Sequence, residues 1–292
     1  MVAIALRRAS VGDAVELAKP RIVLLVMLTV AAGFWLGAAA VPSTLVLFHL
    51  MLGTALVAAG TNALNQVAER DVDALMLRTR MRPLPAGRMD VSTAMVGAWM
   101  VGIGGVAYLL LLVNLLTAVL AAATLATYVF LYTPLKRRSS VATLVGAIPG
   151  ALPIVGGWTA AGGSLGPESW VLFWILFLWQ LPHFLALGWL YKDDYARAEL
   201  KTLSLNDPDG RITFSYATLY AAALLPASLM PAMLGTAGTA YFVGAVLLSG
   251  LFLAVSFRAA RNATALNARR LFRASLAYLP ILLLLMVVNK LP

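Results

Sequence analysis

Nine stretches of about 20 mostly apolar residues run through this chain, at roughly 22–40, 45–66, 92–112, 115–131, 143–161, 169–190, 213–234, 239–257 and 271–288. About 20 apolar residues is the length an α-helix needs to cross the hydrocarbon of a bilayer. In hydrocarbon every backbone N–H and C=O must be paired internally, which leaves helices and closed barrels as the spanning forms. Continuous apolar runs, without strict alternation, select helices. The pattern predicts an all-α polytopic membrane protein with nine transmembrane helices. It forms a single domain over 1–292, with 1–18 a short segment preceding the membrane. Composition agrees: 61% of residues are hydrophobic and 12% charged, against about 45–50% and 25% in soluble domains. The first run is longer than a signal-peptide core. The segment before it carries Asp13 and Glu16, unlike an acid-poor mitochondrial presequence. With no cysteine, disulfides and thiolate metal sites are excluded.

The formal charge of +10 does not point to nucleic acid, because the cations lie in short clusters between the apolar runs. If nine helices alternate in direction, all 22 basic residues except Lys290 fall on one face of the membrane. The positive-inside bias makes that face the cytoplasmic one and puts the N-terminus there too, as expected for a multi-pass protein of the cell's inner (plasma) membrane. An eight- or ten-helix reading scatters the charges. Of the 12 acids, all but Glu168 lie on the same face, so chemistry is expected there.

Four constellations could carry it. Asn65, Glu69 and Asp73 follow one another at four-residue intervals at the end of the second run, with Asn62 one turn earlier. On a helix these share one face, while Asp71 points away. Two carboxylates and an amide oxygen are hard ligands for Mg²⁺, which often binds through one or two carboxylates plus substrate phosphates. Asp193 and Asp194, in Tyr191-Lys-Asp-Asp-Tyr-Ala-Arg197, end the sixth run on the same face. Two such acidic sets suit two Mg²⁺ ions around a diphosphate. Arg78, Arg80, Arg82, Lys136 and Arg137 form a basic set, and guanidinium groups suit phosphate. Last is Trp179-Gln180-Leu-Pro-His183-Phe184. On a regular helix His183 shares a face with Asp194 about three turns deeper, unless Pro182 kinks the helix. The plainer readings are solvated helix ends, topology signals and a packing histidine. No glycine loop for phosphates, metalloprotease His pair or serine nucleophile elbow is present.

Asn65-x-x-x-Glu69-x-x-x-Asp73 followed by Met76-x-Arg78-Thr79-x-x-Arg82-Pro-Leu-Pro-Ala-Gly87 resembles the UbiA-type intramembrane prenyltransferases, and most closely their heme-farnesylating branch. The resemblance extends over about 15–290. It takes in Lys19-Pro20-Arg21, Tyr132-Thr-Pro-Leu-Lys136-Arg137-Arg138, Gly150-Ala-Leu-Pro153, Leu181-Pro-His183-Phe184 and Lys192-Asp-Asp-Tyr195. It implies a helical bundle around a central cavity and transfer of farnesyl from farnesyl diphosphate to a heme B vinyl group, with Mg²⁺ as cofactor. Residue by residue, it implies catalytic and metal-facing roles for Asn65, Glu69, Asp73 and Asp194, with Asp193 a further metal ligand. It implies diphosphate contacts from Lys19, Arg78, Arg82, Lys136, Arg137, Lys192 and Lys201. His183 and Gln180 go to the heme, and heme A synthase or oxidase-assembly proteins become expected partners. Departures are Glu69 for an aspartate, Ile154 for a proline, and Glu199-Leu-Lys201-Thr202, which is nearer the quinone-type members. The alternative is therefore a UbiA-type enzyme acting on an aromatic or quinone precursor. A transporter is disfavoured, because the acids sit at helix ends and not near the bilayer midplane.

Overall fold

The computed structural model describes residues 10–291, so Arg7 and Arg8, two of the basic residues counted for topology, lie outside the described residues. Among the described residues there are nine helices long and apolar enough to span a membrane, and no β-strand. Capped short helix α1 (Val11–Ala18) leads into α2 (Pro20–Gly37) and α3 (Thr44–Ala68). After the short α4 (Arg70–Leu75) come α5 (Val91–Leu112) and α6 (Leu115–Ala126). A π-helical turn over Thr127–Tyr132 runs into the single turn α7 (Thr133–Leu135). Then follow α8 (Ala142–Ala160), α9 (Pro167–Leu190), the short α10 (Lys192–Arg197), α11 (Arg211–Met233), α12 (Thr239–Arg261) and α13 (Ala265–Val288).

The boundaries show where hydropathy and helix part company. The eighth span runs on to Arg261 and the ninth starts at Ala265, capped by Thr264, so the arginines of both ends are helical. A helix can outrun the hydrocarbon once its polar end reaches water, and apolar length alone misses those turns. Five N-caps are residues with short side-chain acceptors: Ser10, Ser43, Asp90, Asn114 and Thr264 each accept a backbone N–H of the following turn.

Two helices form the interior. In α8 and α9, 56% of the spanning window is buried, against 17–39% in the other spans. On one side α2 and α6 pack on α8, with α3 and α5 layered outside them; on the other α11 and α13 pack on α9, with α12 lying against both of those. Without a hydrophobic force between helices in lipid, close approach depends on small residues. Gly33 and Gly37 of α2 face the backbone of Ile154 and Trp158 on α8, and Gly60 faces Gly102 between α3 and α5. A Cβ at Gly33, Gly37 or Gly60 would collide with main-chain atoms. Polar side chains in the C-terminal half satisfy one another: the Tyr278 hydroxyl pairs with Ser228 and Ser249, and Tyr241 donates to the Ser228 carbonyl.

Candidate active site

The first motif is not one continuous helix as its spacing suggests. Helix α3 ends at Ala68, Glu69 leaves helical geometry (φ −99°, ψ 7°), and α4 resumes at Arg70. The four-residue ladder survives the break, because Glu69 N–H still donates to Asn65 C=O (2.9 Å) and Asp73 N–H to Glu69 C=O (2.7 Å). The three side chains therefore remain stacked. Asp71 is exposed and pairs with its neighbour Arg70.

Each member of the stripe is held by a different cation. Lys19 Nζ donates to Asn65 Oδ1 (3.2 Å), Lys136 Nζ to Glu69 Oε1 (2.8 Å), and Arg82 Nη1 to Asp73 Oδ2 (2.7 Å). Asp73 is 1% exposed, and its second oxygen, Oδ1, is buried without a hydrogen-bond partner. A buried lone carboxylate oxygen is costly, and it is a ready acceptor for a cation. Among the described residues no three His, Cys, Asp or Glu side chains converge on one metal position. A metal here would rest on two carboxylates, an amide and its substrate.

Burial first, and then the Arg82 and Lys136 charges, pull the Lys19 ammonium down to about 7, against the opposing pull of Glu69 and Asp73. Burial also opposes the charge on Lys136, but the Tyr132 and Glu69 oxygens outweigh it and hold Lys136 well above its ordinary value. Lys136 also lies 4.4 Å from the centre of the Tyr132 ring.

The second acidic motif meets the first directly. Asp194 Oδ1 accepts the backbone N–H of Leu77 (3.1 Å) and pairs with Arg197. Burial would raise its pKa, but Arg197 and the backbone N–H groups of Leu77 and Arg78 outweigh that and hold its carboxyl below the usual range. Arg78 stacks on the Tyr191 ring at 4.9 Å. Val72 and Met76 share a small core with Ala198 and Leu200. Lys201 joins from the other side, its backbone N–H donating to the Lys136 carbonyl (3.0 Å). The acids and bases of four loops thus meet at one end of the bundle. Asp193, Arg137 and the Lys201 side chain are exposed around it, and Lys192 stacks on Trp189.

The Gln180–His183 pair is not brought to one surface. Gln180 donates to Ala147 C=O of α8 (3.4 Å) and to Leu176 C=O (2.9 Å), in space left by Gly150. His183 Nδ1 pairs with Ser275 Oγ of α13 (2.8 Å), and its ring contacts those of Trp179, Phe184 and Phe272. Pro182 sits inside α9, and the helix breaks instead at Tyr191 (φ −111°, ψ 21°). The regular register from His183 to Asp194 therefore does not hold.

Three supports have partners that the sequence did not show. Asn62 donates to Ala18 C=O (3.1 Å) and Gln66 to Leu17 C=O (2.8 Å). Together they hold the turn that keeps Lys19 left-handed (φ 52°), a conformation rare for a non-glycine residue. Thr133 accepts from Asn65 Nδ2 (3.2 Å), fixing which amide atom faces Lys19. The π-turn before Thr133 re-aims the chain toward Lys136; π-turns often mark functional sites. Asn62 stood out in the sequence as a neighbour of the stripe and Thr133 as part of the Tyr132–Arg138 motif, but nothing in the sequence signalled their partners, Gln66 or the π-turn.

A sequence profile described as the UbiA prenyltransferase family matches residues 26–279. A protoheme IX farnesyltransferase of Solibacter usitatus (strain Ellin6076) is 46% identical over 287 residues, covering 95% of this chain and 98% of its own. Among solved structures, that of a digeranylgeranylglyceryl phosphate synthase superposes with a TM-score of 0.81 at 15% identity, covering 95% of this chain and 97% of its own. A UbiA homolog from Archaeoglobus fulgidus, bound to GPP and Mg²⁺, superposes at 0.65 with 16% identity, covering 94% and 99%. At those identities the likeness to the two structures concerns the fold.

Proposed function

The chain belongs to the UbiA prenyltransferase family, and on that premise we propose that it transfers the farnesyl group of farnesyl diphosphate to a vinyl group of heme B, giving heme O. The carrying observation is 46% identity, over 95% of the chain, to a relative named for farnesylating protoheme IX.

The stacked Asn65, Glu69 and Asp73 suit a divalent metal, because their oxygens are hard donors and the buried Asp73 Oδ1 lacks a partner. Mg²⁺, when bound, supplies electrostatic neutralisation of the charge that builds on the departing diphosphate. Asp193 and Asp194 form the second acidic set of the proposal. Lys19, Lys136 and Arg82 hold the Asn65, Glu69 and Asp73 side chains. On binding, they exchange those partners for diphosphate oxygens, joined by Arg78, Arg137, Lys192 and Lys201. The exchange keeps each cation paired and frees the carboxylates, so metal and diphosphate binding favour one another.

In the reaction the allylic C1–O bond breaks and its electron pair leaves with the diphosphate, stabilised by these cations. The vinyl π pair of the heme forms the new bond to C1. Water then adds to the cation left beside the porphyrin and loses a proton, which yields the hydroxyethylfarnesyl substituent. Exclusion of bulk water by the surrounding helices prevents early hydrolysis. His183 is the group proposed for the heme end, as a neutral imidazole in an aromatic setting is a good iron ligand. Gln180 would reach heme only by giving up its bond to α8.

The same reading puts the N-terminus and basic loops in the cytoplasm and the chain in the plasma membrane, beside heme A synthase or oxidase-assembly partners. A reporter fused after Arg138 should then be cytoplasmic and one after Gly163 external; both on one side would reject that topology. For the activity, purified protein is incubated with heme B, farnesyl diphosphate and Mg²⁺, and the heme is analysed by mass. Addition of one farnesyl group and one hydroxyl supports the proposal. Diphosphate release with a quinone precursor but not with heme would establish the aromatic-acceptor reading instead.

A further inference from the structure

A cavity of about 620 Å³ opens between the last turns of α12 and the first two turns of α13, and no residue of the acidic site lines it. Three guanidinium groups line it: Arg258, Arg261 and Arg270. The sequence holds no Asp or Glu after Asp209. Among the described residues, the arginine ion pairs use Arg70, Arg82, Arg88 and Arg197, so the three in this pocket have no carboxylate partner. Topology requires only that charge lie near this end. It does not require the charge to be held in place, as two of these groups are. Arg261 stacks on the Phe257 ring at 4.7 Å. Arg270 donates to the buried Asn267 Oδ1 (3.3 Å), and Asn267 is itself anchored to the Asn262 carbonyl (2.8 Å).

We propose that this pocket binds the phosphate of an anionic lipid headgroup. Convergent arginines with no internal counter-ion suit a phosphate, which they can contact through paired N–H donors. The N-terminal turn of α13, with its partial positive charge, forms part of the same wall. A lipid accounts for the setting better than a free ion. The pocket lies where two spanning helices reach the membrane surface, and Phe257 and Leu266, 48% and 57% exposed, put apolar surface beside the charges. An acyl chain can lie against such surface while its phosphate sits among the arginines. Basic pockets between spanning helices on the cytoplasmic side recognise anionic lipids in this manner.

The test uses the full chain purified in detergent and placed in nanodiscs of phosphatidylcholine with a minor fraction of phosphatidylglycerol. Lipid retained by the protein is identified by native mass spectrometry. Wild type should enrich phosphatidylglycerol. Arg261→Gln should weaken retention about fivefold, and the triple variant R258Q/R261Q/R270Q about 100-fold. R269Q/R273Q, which removes two charges from the same hairpin outside the pocket, should retain the lipid. Equal loss in that control would mean diffuse surface charge and overturn the proposal, as would no enrichment by wild type. Complete displacement of the lipid by inorganic phosphate would assign the pocket to a free anion and also overturn it. The single variant keeps the test open if the triple variant inserts poorly.

Discussion

Asp73 and Asp194 are both buried carboxylates at the same end of the bundle, 1% and 8% exposed, yet they are held in different ways. Asp73 is held by the flexible side chain of Arg82 and keeps one buried oxygen without a partner. Asp194 is held by backbone N–H groups of the loop after α4, with Arg197 beside it. Side-chain cations can turn away when a substrate anion arrives, whereas backbone donors stay where the chain puts them. The first acid is thus placed to exchange partners. The second clasps the 76–80 loop to α10 and orders the arginines on it. Sequence proximity to like residues does not distinguish the two roles, but the partners do.

The contrast can be broken most sharply at Asp73. Asp73→Asn keeps the size and an acceptor oxygen but loses the charge. Turnover should fall at least about 100-fold while the protein still inserts, as judged by its elution as a monodisperse species. Near-normal turnover at ordinary Mg²⁺ would remove the metal role from this motif. Lys136→Ala comes next. It should raise the KM for farnesyl diphosphate about tenfold and, without diphosphate, tighten binding of Mn²⁺ as followed by electron paramagnetic resonance, since Glu69 is no longer occupied. Weaker Mn²⁺ binding in that assay would contradict partner exchange.

Asp194→Asn should cost less, about tenfold or below, because the amide oxygen still accepts from the Leu77 N–H. Asp194→Ala should instead speed amide hydrogen exchange over 76–80. A loss in Asp194→Asn as deep as that of Asp73→Asn would make Asp194 a full metal ligand and erase the distinction. His183→Ala lies outside both acidic sets and should have the narrowest effect. Heme titration by absorbance should weaken while farnesyl diphosphate binding is unchanged. Normal heme binding and turnover would leave His183 as a packing partner of Ser275.

The residues themselves, without any fold, determined the solvent of this protein, the helical class and the number of spans. Twenty apolar residues cannot satisfy their backbone in lipid otherwise, and charge asymmetry reports which ends lie together. They also determined the candidate acids and bases, since Asn65, Glu69 and Asp73 declare themselves by spacing and Arg78 and Arg82 by chemistry. Tertiary structure alone decided the pairing of those groups. That Lys19 reaches Asn65, that Lys136 reaches Glu69 and that Asp194 caps the Leu77 turn are contacts over 46, 67 and 117 residues of chain. Such contacts depend on how close α2, α3 and α8 can approach. Glycines at crossing points set that distance, and a π-turn re-aims Lys136. Local periodicity carries no information on either, because both are settled by packing between segments far apart in sequence.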